Sequence, residues 1–487
     1  MGNADLTVLA LDVGTTAVKA GIVRGGAITA AASSSPLETS TPADGWVEQD
    51  ADDWWAATVE AIAALPPADL DDVDVVAVTG QMQDLLCIDG TGHPVRPVIL
   101  YGDTRADREL GELLHALPDW PHAVGRPPDP TAVAAKWRWL VDNEPNTVAA
   151  TRHVVFGAGG EVVRRLTGAV MCDHTTASTT GMYELSARSW WPPIAKIDDL
   201  PVPPLDDRRP WPMLPTFAEE LGLPPTATVV LAPGDAAATT LGIVGTELDR
   251  AYAYLGTSGW VAAATDALPD TDGFVLPGLN ADHWVVAAPL IAAGATVDWA
   301  REVLLGGIDH DELDALAKGV CAATAGVLAL PHLDGQRLPI ADATARVALV
   351  GMGRSTDRAV IAAAILESVA HALRQLAELV APEGEDFLVC GGGSRSDTWC
   401  QTIADVTGRT VHRTDDEHAS LLGAAIAAGA ESSPRPTTGS FPPDPLHHWA
   451  HRGAAAMFDA LGPALRLTTE GLADLRNAAD DTVDSDT

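Results

Sequence analysis

Two aspartates in this chain occupy positions where a carboxylate can do chemistry. Asp12 ends an apolar segment just before a Gly-Thr-Thr turn, and Asp235 follows a Pro-Gly pair at the start of a helical segment. A carboxylate in the first place can meet a phosphate-bound Mg²⁺, although an Asp beside a turn often bonds its own backbone. One in the second place can take a proton from a substrate hydroxyl, although an N-cap is the plain alternative. Beside glycine-rich turns, the two together indicate a phosphoryl-transfer site.

Two predicted β-hairpins carry small residues at their tips. They are Thr7–Val23, with Gly14, Thr15 and Thr16 at the tip, and Ala251–Thr265, with Gly256, Thr257 and Ser258. Because these tips lack bulky side chains, backbone N–H groups and hydroxyls can approach an anion closely. A single hairpin of this kind is more often an ordinary glycine turn. Two in one chain indicate an internal duplication with two phosphate-binding loops.

A third glycine-rich turn, Gly391–Gly393, follows a predicted strand and precedes a predicted helix. It lacks both GxGxxG and GxxxxGK[ST], so neither a dinucleotide-binding fold nor a P-loop is supported. Bare glycines would let an adenine ring or a ribose lie against the backbone. The alternative is a tight turn between a strand and a helix.

Other clusters are weaker candidates. His447 and His451 have the i, i+4 spacing of one helix face, but no Glu or third ligand accompanies them, so an exposed helix face is favoured over zinc. Trp46, Trp54 and Trp55 form either an aromatic platform for a sugar or a part of the core. A GxSxG motif is absent, which disfavours a serine hydrolase.

Strand and helix signals alternate along the chain, which predicts an α/β fold that positions these turns. The strand signals outside the hairpins are Val73–Val78, Val229–Leu231 and Phe387–Cys390, and the helix signals are Thr131–Asn143, Glu161–Leu166, Ala236–Ile243, Ala359–Val380, Trp399–Val406 and Leu421–Ala430. The proline-rich stretch Pro192–Pro215 is a predicted loop.

The length allows two to four domains, since domains usually have roughly 100 to 200 residues. We place the boundary near Gly245, just before the second hairpin, which gives halves of residues 1–245 and 246–487. The acidic end, residues 478–487, is expected to be a frayed tail.

Composition excludes several classes of function. With 67 acidic and 30 basic residues the net charge is −37, which disfavours nucleic acid or an anionic membrane surface as a partner. A hydrophobic fraction of 47% excludes disorder of the whole chain. Neither an apolar run of about 18 residues nor a basic leader is evident, so a cytoplasmic protein is expected. The five cysteines contain no CxxC pair and are expected to be reduced thiols in or near the core.

Several long motifs in order make the chain similar to the FGGY family of carbohydrate kinases, and most similar to its xylulokinase branch. The similarity extends from about residue 6 to residue 460. Its motifs are LDVGTTAVKAG, GWVEQDADDWW, TGQMQDLLCID, RPVILYGDTR, CDHTTASTTGMY, YLGTSGW, GMGRSTDRAVIAAAILESVAHALR and VCGGGSRSDTWCQTIADVTGR.

This resemblance implies two ribonuclease-H-like domains of the actin and sugar-kinase superfamily around a central cleft. It implies ATP-dependent phosphorylation of a sugar, with Mg²⁺, Asp235 as the catalytic base and Asp12 as the carboxylate near the metal. The implied nucleotide contacts are Gly14, Thr15, Thr16, Gly256, Thr257, Gly392, Gly393 and Ser396. The implied sugar contacts are Gln81, Met82, Gln83 and Asp103.

The chain departs from the xylulokinase pattern at two places in the implied sugar site. Xylulokinases usually read QMHG where this chain has QMQD (81–84), and WND where it has YGD (101–103). An amide in place of an imidazole still donates and accepts hydrogen bonds, but an unpaired buried hydroxyl partner would cost about 1 to 3 kcal/mol. The expected substrate is therefore D-xylulose, with ribulose, another pentulose or a sugar alcohol as alternatives.

Two further alternatives belong to other classes of protein: an actin-like ATPase and a sugar sensor without catalysis. The retained Asp235 and the sugar-half motifs disfavour both. The oligomeric state is left open, and a homodimer is one expectation.

Overall fold

Two large mixed sheets, each covered by helices, form the framework of the protein. The computed structural model describes residue 3 and residues 5–125, 128–206, 208–248, 250–279, 283–381, 384–415, 417–432 and 435–484, without the side chains of residues 195 and 477–484. The first sheet is built from strands between residues 8 and 231, and the second from strands between residues 251 and 441.

The first half of the chain contains fourteen strands and eleven α-helices among its described residues. The strands are β1 Val8–Val13, β2 Val18–Arg24, β3 Ala27–Ser33, β4 Glu48–Gln49, β5 Val75–Gly80, β6 Met82–Ile88, β7 Val98–Ile99, β8 His153–Gly157, β9 Cys172–Asp173, β10 Tyr183–Glu184, β11 Ser189–Trp190, β12 Leu205–Asp206, β13 Trp211–Pro212 and β14 Thr228–Leu231. The helices are α1 Ala51–Ala63, α2 Pro67–Leu70, α3 Asp107–Ala116, α4 Trp120–Ala123, α5 Val133–Asn143, α6 Pro145–Ala150, α7 Ala158–Thr167, α8 His174–Thr179, α9 Pro192–Ala195, α10 Pro215–Leu221 and α11 Asp235–Val244.

The second half contains nine strands and six α-helices in the part that the structure describes. The strands are β15 Ala251–Leu255, β16 Gly259–Thr265, β17 Phe274–Pro277, β18 Trp284–Leu290, β19 Leu328–Leu330, β20 Ala348–Val350, β21 Asp386–Cys390, β22 Thr410–Thr414 and β23 Thr437–Phe441. The helices are α12 Gly294–Val303, α13 His310–Ala317, α14 Arg358–Val380, α15 Asp397–Thr407, α16 Ala419–Ala427 and α17 Pro445–Asp484.

The two sheets repeat one topology, which confirms the predicted duplication. The first has the order β3-β2-β1-β5-β14-β13, and the second contains the order β18-β16-β15-β21-β22-β23. In each, an antiparallel hairpin (β1–β2 or β15–β16) is followed by two strands parallel to its first strand, and the sheet then ends in an antiparallel strand. Both predicted hairpins are therefore present. Each lies beside a parallel strand, β5 in the first sheet and β21 in the second.

The strand β1 is apolar on both faces because both are covered, as is usual for parallel strands in the middle of a sheet. Leu9, Leu11 and Val13 face a core within the first half. Val8 and Ala10 face leucines and alanines of α16, a helix from the second half. In return, Ile243 and Val244 of α11 pack on strands of the second sheet. Each half therefore contributes one helix to the other half's sheet.

The helices α11 and α16 cross at two glycines. A Cβ on Gly242 would lie 1.8 Å from the carbonyl oxygen of Ala419, and a Cβ on Gly423 would lie 1.7 Å from that of Ala238. Because no side chain fits at either position, the backbones of α11 and α16 are in direct contact there. This crossing holds the two halves together directly beneath the cleft.

Some sequence expectations need correction. The predicted loop at 192–215 contains α9, β12 and β13 and a 3₁₀ turn, Ile197–Asp199. The acidic end continues α17 as far as Asp484 rather than fraying from 478, and residues 485–487 lie outside the described residues. By length and composition α14 could cross a membrane, which was not expected, but 72% of its most apolar window is buried inside the protein, as in a core helix. All five cysteines are free and buried, as predicted.

Candidate functional site

A cleft of about 560 Å³ lies between the two halves of the protein. Its walls bring together residues from both halves, among them Asp12, Lys19, Met82, Gln83, Asp235, Tyr254, Trp260, Arg337 and Ser420. The two candidate aspartates, 223 positions apart in the chain, thus share one cavity. So do two of the four residues implied as sugar contacts.

The parallel strands explain why these residues meet. β1, β5 and β14 are neighbours in the first sheet and run in the same direction. Ligands in open α/β sheets bind beyond the carboxyl ends of such strands. Asp12 lies near the end of β1 and the Gly-Thr-Thr turn follows that strand, while Gln81 follows β5 and Asp235 follows β14. A hydrogen bond from the Thr79 hydroxyl to the Pro233 carbonyl oxygen, at 2.6 Å, joins the last two strand ends.

Asp12 has one carboxylate oxygen that is bonded and one that is not. Its Oδ2 accepts a hydrogen bond from the Ser420 hydroxyl of α16 at 2.6 Å. Its Oδ1 is buried and has no hydrogen-bond partner among the described residues. Burial raises the pKa of Asp12, opposed by the Ser420 hydrogen bond and by the charge of Lys19. A buried carboxylate oxygen without a hydrogen-bond partner among the described residues, in the wall of the cleft, is the kind of ligand atom that Mg²⁺ prefers, so this position fits the expected metal.

Asp235 opens α11 and faces the cleft. Burial, and then the negative charges of Asp12 and Asp173, raise its pKa to about 7, while a hydrogen bond from the Ala236 N–H opposes them. A general base is most effective when its pKa lies near the working pH. Such a carboxylate can accept a proton near neutral pH. The alternative of a plain helix cap is weakened because the cap position is occupied by Gly234, and Asp235 is the first residue of α11 itself.

The tip of the first hairpin is tied to the end of β5. The Thr15 hydroxyl donates to Gln81 Oε1 at 2.6 Å, and Gln49 Nε2 donates to the Thr15 carbonyl oxygen at 2.8 Å. Gln49 in turn accepts a hydrogen bond from the indole of Trp54, which is fully buried. Gln81 is 2% exposed, so it holds the phosphate hairpin in place rather than facing the cleft. Trp54 belongs to the core and is not a sugar platform.

Met82 and Gln83 line the cleft, as the resemblance implies. Gln83 has φ of +66°, a conformation that is uncommon for residues other than glycine and that clusters at functional sites. The pairing of β6 with β8 is irregular here, and such irregularities re-aim side chains. Gln83 Nε2 donates to the carbonyl and hydroxyl oxygens of Thr131, at 3.1 and 2.7 Å. The side-chain oxygen of Gln83, Oε1, is then left to accept a hydrogen bond from a ligand hydroxyl.

The second hairpin and the third glycine turn lie at the same edge of the second sheet. β15 and β21 are parallel and pair up to Tyr254 and Cys390, so the two turns that follow them are neighbours. A Cβ on Gly391, whose φ is +87°, would lie 2.7 Å from the Leu255 carbonyl oxygen. Gly392 is exposed with open space around it, which leaves room for a ligand against the backbone. Neither Gly392 nor Gly393 is part of the cleft wall described above.

Ser396, implied as a nucleotide contact, has a structural task. Its hydroxyl oxygen accepts the Trp399 N–H at the start of α15, at 2.9 Å, and its hydroxyl donates to Asp314 Oδ1 at 2.6 Å. The side chain therefore caps the helix and links it to α13. Its role in binding nucleotide stays a prediction, and the observed hydrogen bonds do not favour it.

Asp103 is placed away from the cleft wall. It is fully buried, and its Oδ2 accepts hydrogen bonds from the Val47 N–H and Arg105 Nη2, both at 2.6 Å. Arg105 also bonds Glu48 and lies over the ring of Trp46, 3.8 Å from its centroid. Asp103 is thus committed to a buried ionic cluster that supports the sugar half. Its implied contact with sugar hydroxyls stays a prediction. The observed hydrogen bonds favour a role in positioning Arg105 and the backbone at Val47 instead.

Sequence reasoning missed Lys136 and Asp84. Lys136 is fully buried, and its ammonium donates to the carbonyl oxygens of Leu100 and Gln83, at 2.7 and 3.2 Å. Burial lowers the pKa of Lys136 and raises that of Asp84. Asp84 Oδ1 accepts the Tyr101 N–H at 3.1 Å, which joins the two places where the chain departs from the xylulokinase pattern. The signal in the sequence that could have revealed Lys136 was its place within the apolar segment that forms α5.

Sequence reasoning also missed Ser420 and the aromatic wall of the cleft. Tyr254 and Trp260 stack with their ring centroids 4.1 Å apart and an interplanar angle of 15°. Ser420 lies 408 residues from the aspartate that it contacts, and nothing in its local sequence marks it. Ser420 reaches Asp12 only because the second half folds against the first, whereas Tyr254 and Trp260 are cross-strand partners within the hairpin β15–β16.

Comparison with known proteins agrees with this arrangement. Residues 7–242 match the model of the N-terminal domain of the FGGY family of carbohydrate kinases, and residues 251–432 match its C-terminal domain. A xylulose kinase from Streptomyces rubiginosus is 30% identical over 441 residues, which are 86% of this chain and 87% of that protein. A glycerol kinase from Bordetella parapertussis is 32% identical over 465 residues, 88% of this chain and 89% of that protein. The crystal structure of a xyloylose kinase from Brucella ovis superposes with a TM-score of 0.86 at 28% identity, covering 95% of this chain and 100% of that one.

Proposed function

The chain belongs to the FGGY family of carbohydrate kinases, and we propose that it transfers the γ-phosphate of ATP to a hydroxyl of D-xylulose with Asp235 as the general base. The observation that carries the proposal is the single cleft that holds both Asp12 and Asp235. One offers a free carboxylate oxygen for a cation, and the other has a pKa of about 7. This is the division of tasks that phosphoryl transfer needs.

In this mechanism the sugar lies against Met82 and Gln83, and its reactive hydroxyl is next to Asp235. The carboxylate takes the hydroxyl proton as the new O–P bond forms and the bond to ADP breaks. Backbone N–H groups of Thr15 and Thr16 at the tip of the first hairpin, and the cations of Lys19 and Arg337 in the cleft wall, stabilise charge on the phosphoryl oxygens. Mg²⁺, held by Asp12, would neutralise phosphate charge.

The proposal is tested with a panel of ketoses, aldoses and polyols in a coupled ADP-release assay. We expect ADP release to depend on sugar, with the highest kcat/KM for D-xylulose. Glycerol belongs in the panel because one relative is a glycerol kinase. ADP release that is indifferent to every sugar would overturn the assignment, and a preference for ribulose or a polyol would replace xylulose while keeping the mechanism.

We predict that Gln83→His shifts the sugar preference toward that of chains with the QMHG pattern. The amide of Gln83 is held by Thr131, and an imidazole at the same place presents a donor or acceptor at a different distance. Loss or gain of one hydrogen bond to a buried hydroxyl corresponds to about 1 to 3 kcal/mol. We therefore expect the ratio of kcat/KM between two pentuloses to change by roughly 5- to 150-fold. An unchanged ratio would show that Gln83 does not read the sugar.

We predict that Asp12→Asn weakens the dependence of the reaction on Mg²⁺. The amide retains one oxygen and can still meet Ser420, but it removes the negative charge that attracts the cation. The measurement is the Mg²⁺ titration of kcat, accompanied by direct binding of Mn²⁺ in the presence of nucleotide. We expect a rise of at least tenfold in the Mg²⁺ concentration for half activity. Ser420→Ala, which leaves the charge in place, serves as the matched control and should change this concentration much less.

A further inference from the structure

A second group of chemically reactive side chains lies in the second half, separate from the cleft wall. Cys321 follows α13, Glu367 and His371 are one turn apart on α14, and His451 is near the start of α17. Their exposed fractions are 6%, 4%, 1% and 2%. A thiol, a carboxylate and two imidazoles thus face one another from three separate segments inside the core.

The distances between these groups are those of ligands around one small cation. Cys321 Sγ lies 3.8 Å from His451 Nε2, and that nitrogen lies 3.9 Å from Glu367 Oε1. Donor atoms of all three lie within 4.8 Å of one another. Around a tetrahedral zinc ion, bonds of about 2.0 to 2.3 Å separate neighbouring donors by about 3.3 to 3.6 Å. The two observed distances exceed these separations by roughly 0.2 to 0.6 Å, so a small side-chain movement would bring the three donors toward one ion.

His371 lies beside this group without belonging to it. Its ring centroid lies 5.3 Å from that of His451, but its nitrogens are not among the donor atoms that lie within 4.8 Å of one another. The other face of the His371 ring stacks on Phe458, with 4.9 Å between the centroids, which holds the ring beside the cluster.

The imidazoles lack the partners that buried nitrogen atoms normally have. Both ring nitrogens of His371, and Nδ1 of His451, are buried without a hydrogen-bond partner among the described residues. Leaving one such group unsatisfied costs about 1 to 3 kcal/mol. These rings therefore lie in an interior that supplies few hydrogen-bond partners.

We propose that Cys321, Glu367 and His451 bind one zinc ion that fastens α17 to α14. A thiolate and a carboxylate balance the two charges of the ion, so the site is neutral in its apolar surroundings. The Ala322 and Ala323 N–H groups donate to the two oxygens of Glu367, at 2.6 and 3.2 Å, which orients the carboxylate as second-layer contacts do in zinc sites. The thiolate favours zinc over Mg²⁺, which takes oxygen ligands.

This assignment corrects the expectation for the histidine pair of α17. His451 does not lie on an exposed helix face, since it is 2% exposed. His447, one turn earlier, bonds Asp405 instead, with Nδ1 3.1 Å from Oδ2. The groups that meet His451 are Glu367 on α14 and Cys321, which lie far from it in the sequence, so the spacing of residues on α17 does not reveal them.

The site is tested by metal content and by cobalt spectroscopy on the full-length protein. After dialysis against Zn²⁺ and then against metal-free buffer, we expect one zinc per chain. With Co²⁺ instead, we expect the visible bands of tetrahedral cobalt and a thiolate charge-transfer band. Cys321→Ser should abolish the charge-transfer band and lower zinc affinity at least tenfold, and His451→Gln should lower affinity likewise. His447→Gln is the matched control on the same helix and should retain the full zinc content.

Thermal unfolding gives a second readout. Zinc should raise the Tm of the wild-type protein and of His447→Gln, and should leave that of Cys321→Ser unchanged. Wild-type protein that keeps no more zinc than Cys321→Ser, or cobalt protein without a thiolate band, would overturn the proposal. If the variants do not fold, the stoichiometry and the cobalt spectrum of the wild-type protein decide alone. Sugar-dependent ADP release is measured separately, so a failure of the proposed kinase reaction leaves this test intact.

Discussion

We expect Asp235→Asn to lower kcat for sugar-dependent ADP release by roughly 10²- to 10⁴-fold, the range that a positioned general base contributes. The amide has almost the same shape as the carboxylate but cannot accept the hydroxyl proton. Because Asp235 lies in the wall shared with Met82 and Gln83, the sugar should still bind. The loss should therefore appear mainly in kcat, with KM for sugar and the Kd for nucleotide changed by a few-fold at most.

The same substitution should not destabilise the protein at neutral pH. The pKa of Asp235 is raised to about 7 in the folded chain, so the folded state binds more protons than the unfolded state between about pH 4 and pH 7. Its contribution to stability is therefore lost as pH rises through this interval. Asn carries no charge and avoids this loss. We expect the variant to melt at or above the temperature of the wild type at pH 8, which separates lost chemistry from lost folding.

A matched control and the pH dependence sharpen this prediction. Asp298→Asn removes an exposed carboxylate of α12 outside the cleft wall and should leave kcat unchanged. Wild-type kcat/KM should fall below about pH 7 as Asp235 becomes protonated. The residual rate of Asp235→Asn should lack that acid limb. Near-wild-type turnover of Asp235→Asn, or an acid limb that persists in it, would remove Asp235 from the role of base.

The strand ends and turns could be predicted from the sequence because each depends on residues that are close together in the chain. The apolar run before Asp12, the small residues of both hairpin tips and the Pro-Gly pair before Asp235 are all visible within a few residues. Parallel strands then bring their carboxyl ends to one edge of the sheet. The position of both aspartates in one cleft follows from these local signals and the predicted duplication.

What could not be predicted depends on contacts between distant segments. Ser420 reaches Asp12 only because α16 lies on the sheet of the other half. Asp103 matches the family's sugar motif by position, yet Arg105 and the Val47 N–H already occupy its oxygens. Ser396 caps a helix through its neighbours in space. A motif identifies the type of a residue. Which groups form hydrogen bonds with that residue depends on how the chain packs around it.

Asp235 begins α11 and Ser420 lies on α16. The crossing of these two helices should therefore affect both stability and the reaction. We expect Gly423→Ala to destabilise the protein by about 1 to 3 kcal/mol, the usual effect of overpacking, and to lower kcat as well. Its Cβ would lie 1.7 Å from the Ala238 carbonyl oxygen, which is backbone and cannot rotate away. The helices must separate, and the Ser420–Asp12 hydrogen bond must lengthen.

The measurements are the free energy of unfolding in urea and kcat at saturating Mg²⁺. Gly453→Ala on α17, where a Cβ meets nothing within 4 Å, is the control and should stabilise by about 0.5 to 1 kcal/mol through helix propensity. Gly242→Ala should resemble Gly423→Ala, since its Cβ would lie 1.8 Å from the Ala419 carbonyl oxygen. Once one substitution has parted the helices, the second adds little, so the double variant should be less destabilised than the sum. If Gly423→Ala instead behaves like Gly453→Ala, the halves are not held by this crossing, and the alignment of Asp12 with Asp235 must depend on the sheets alone.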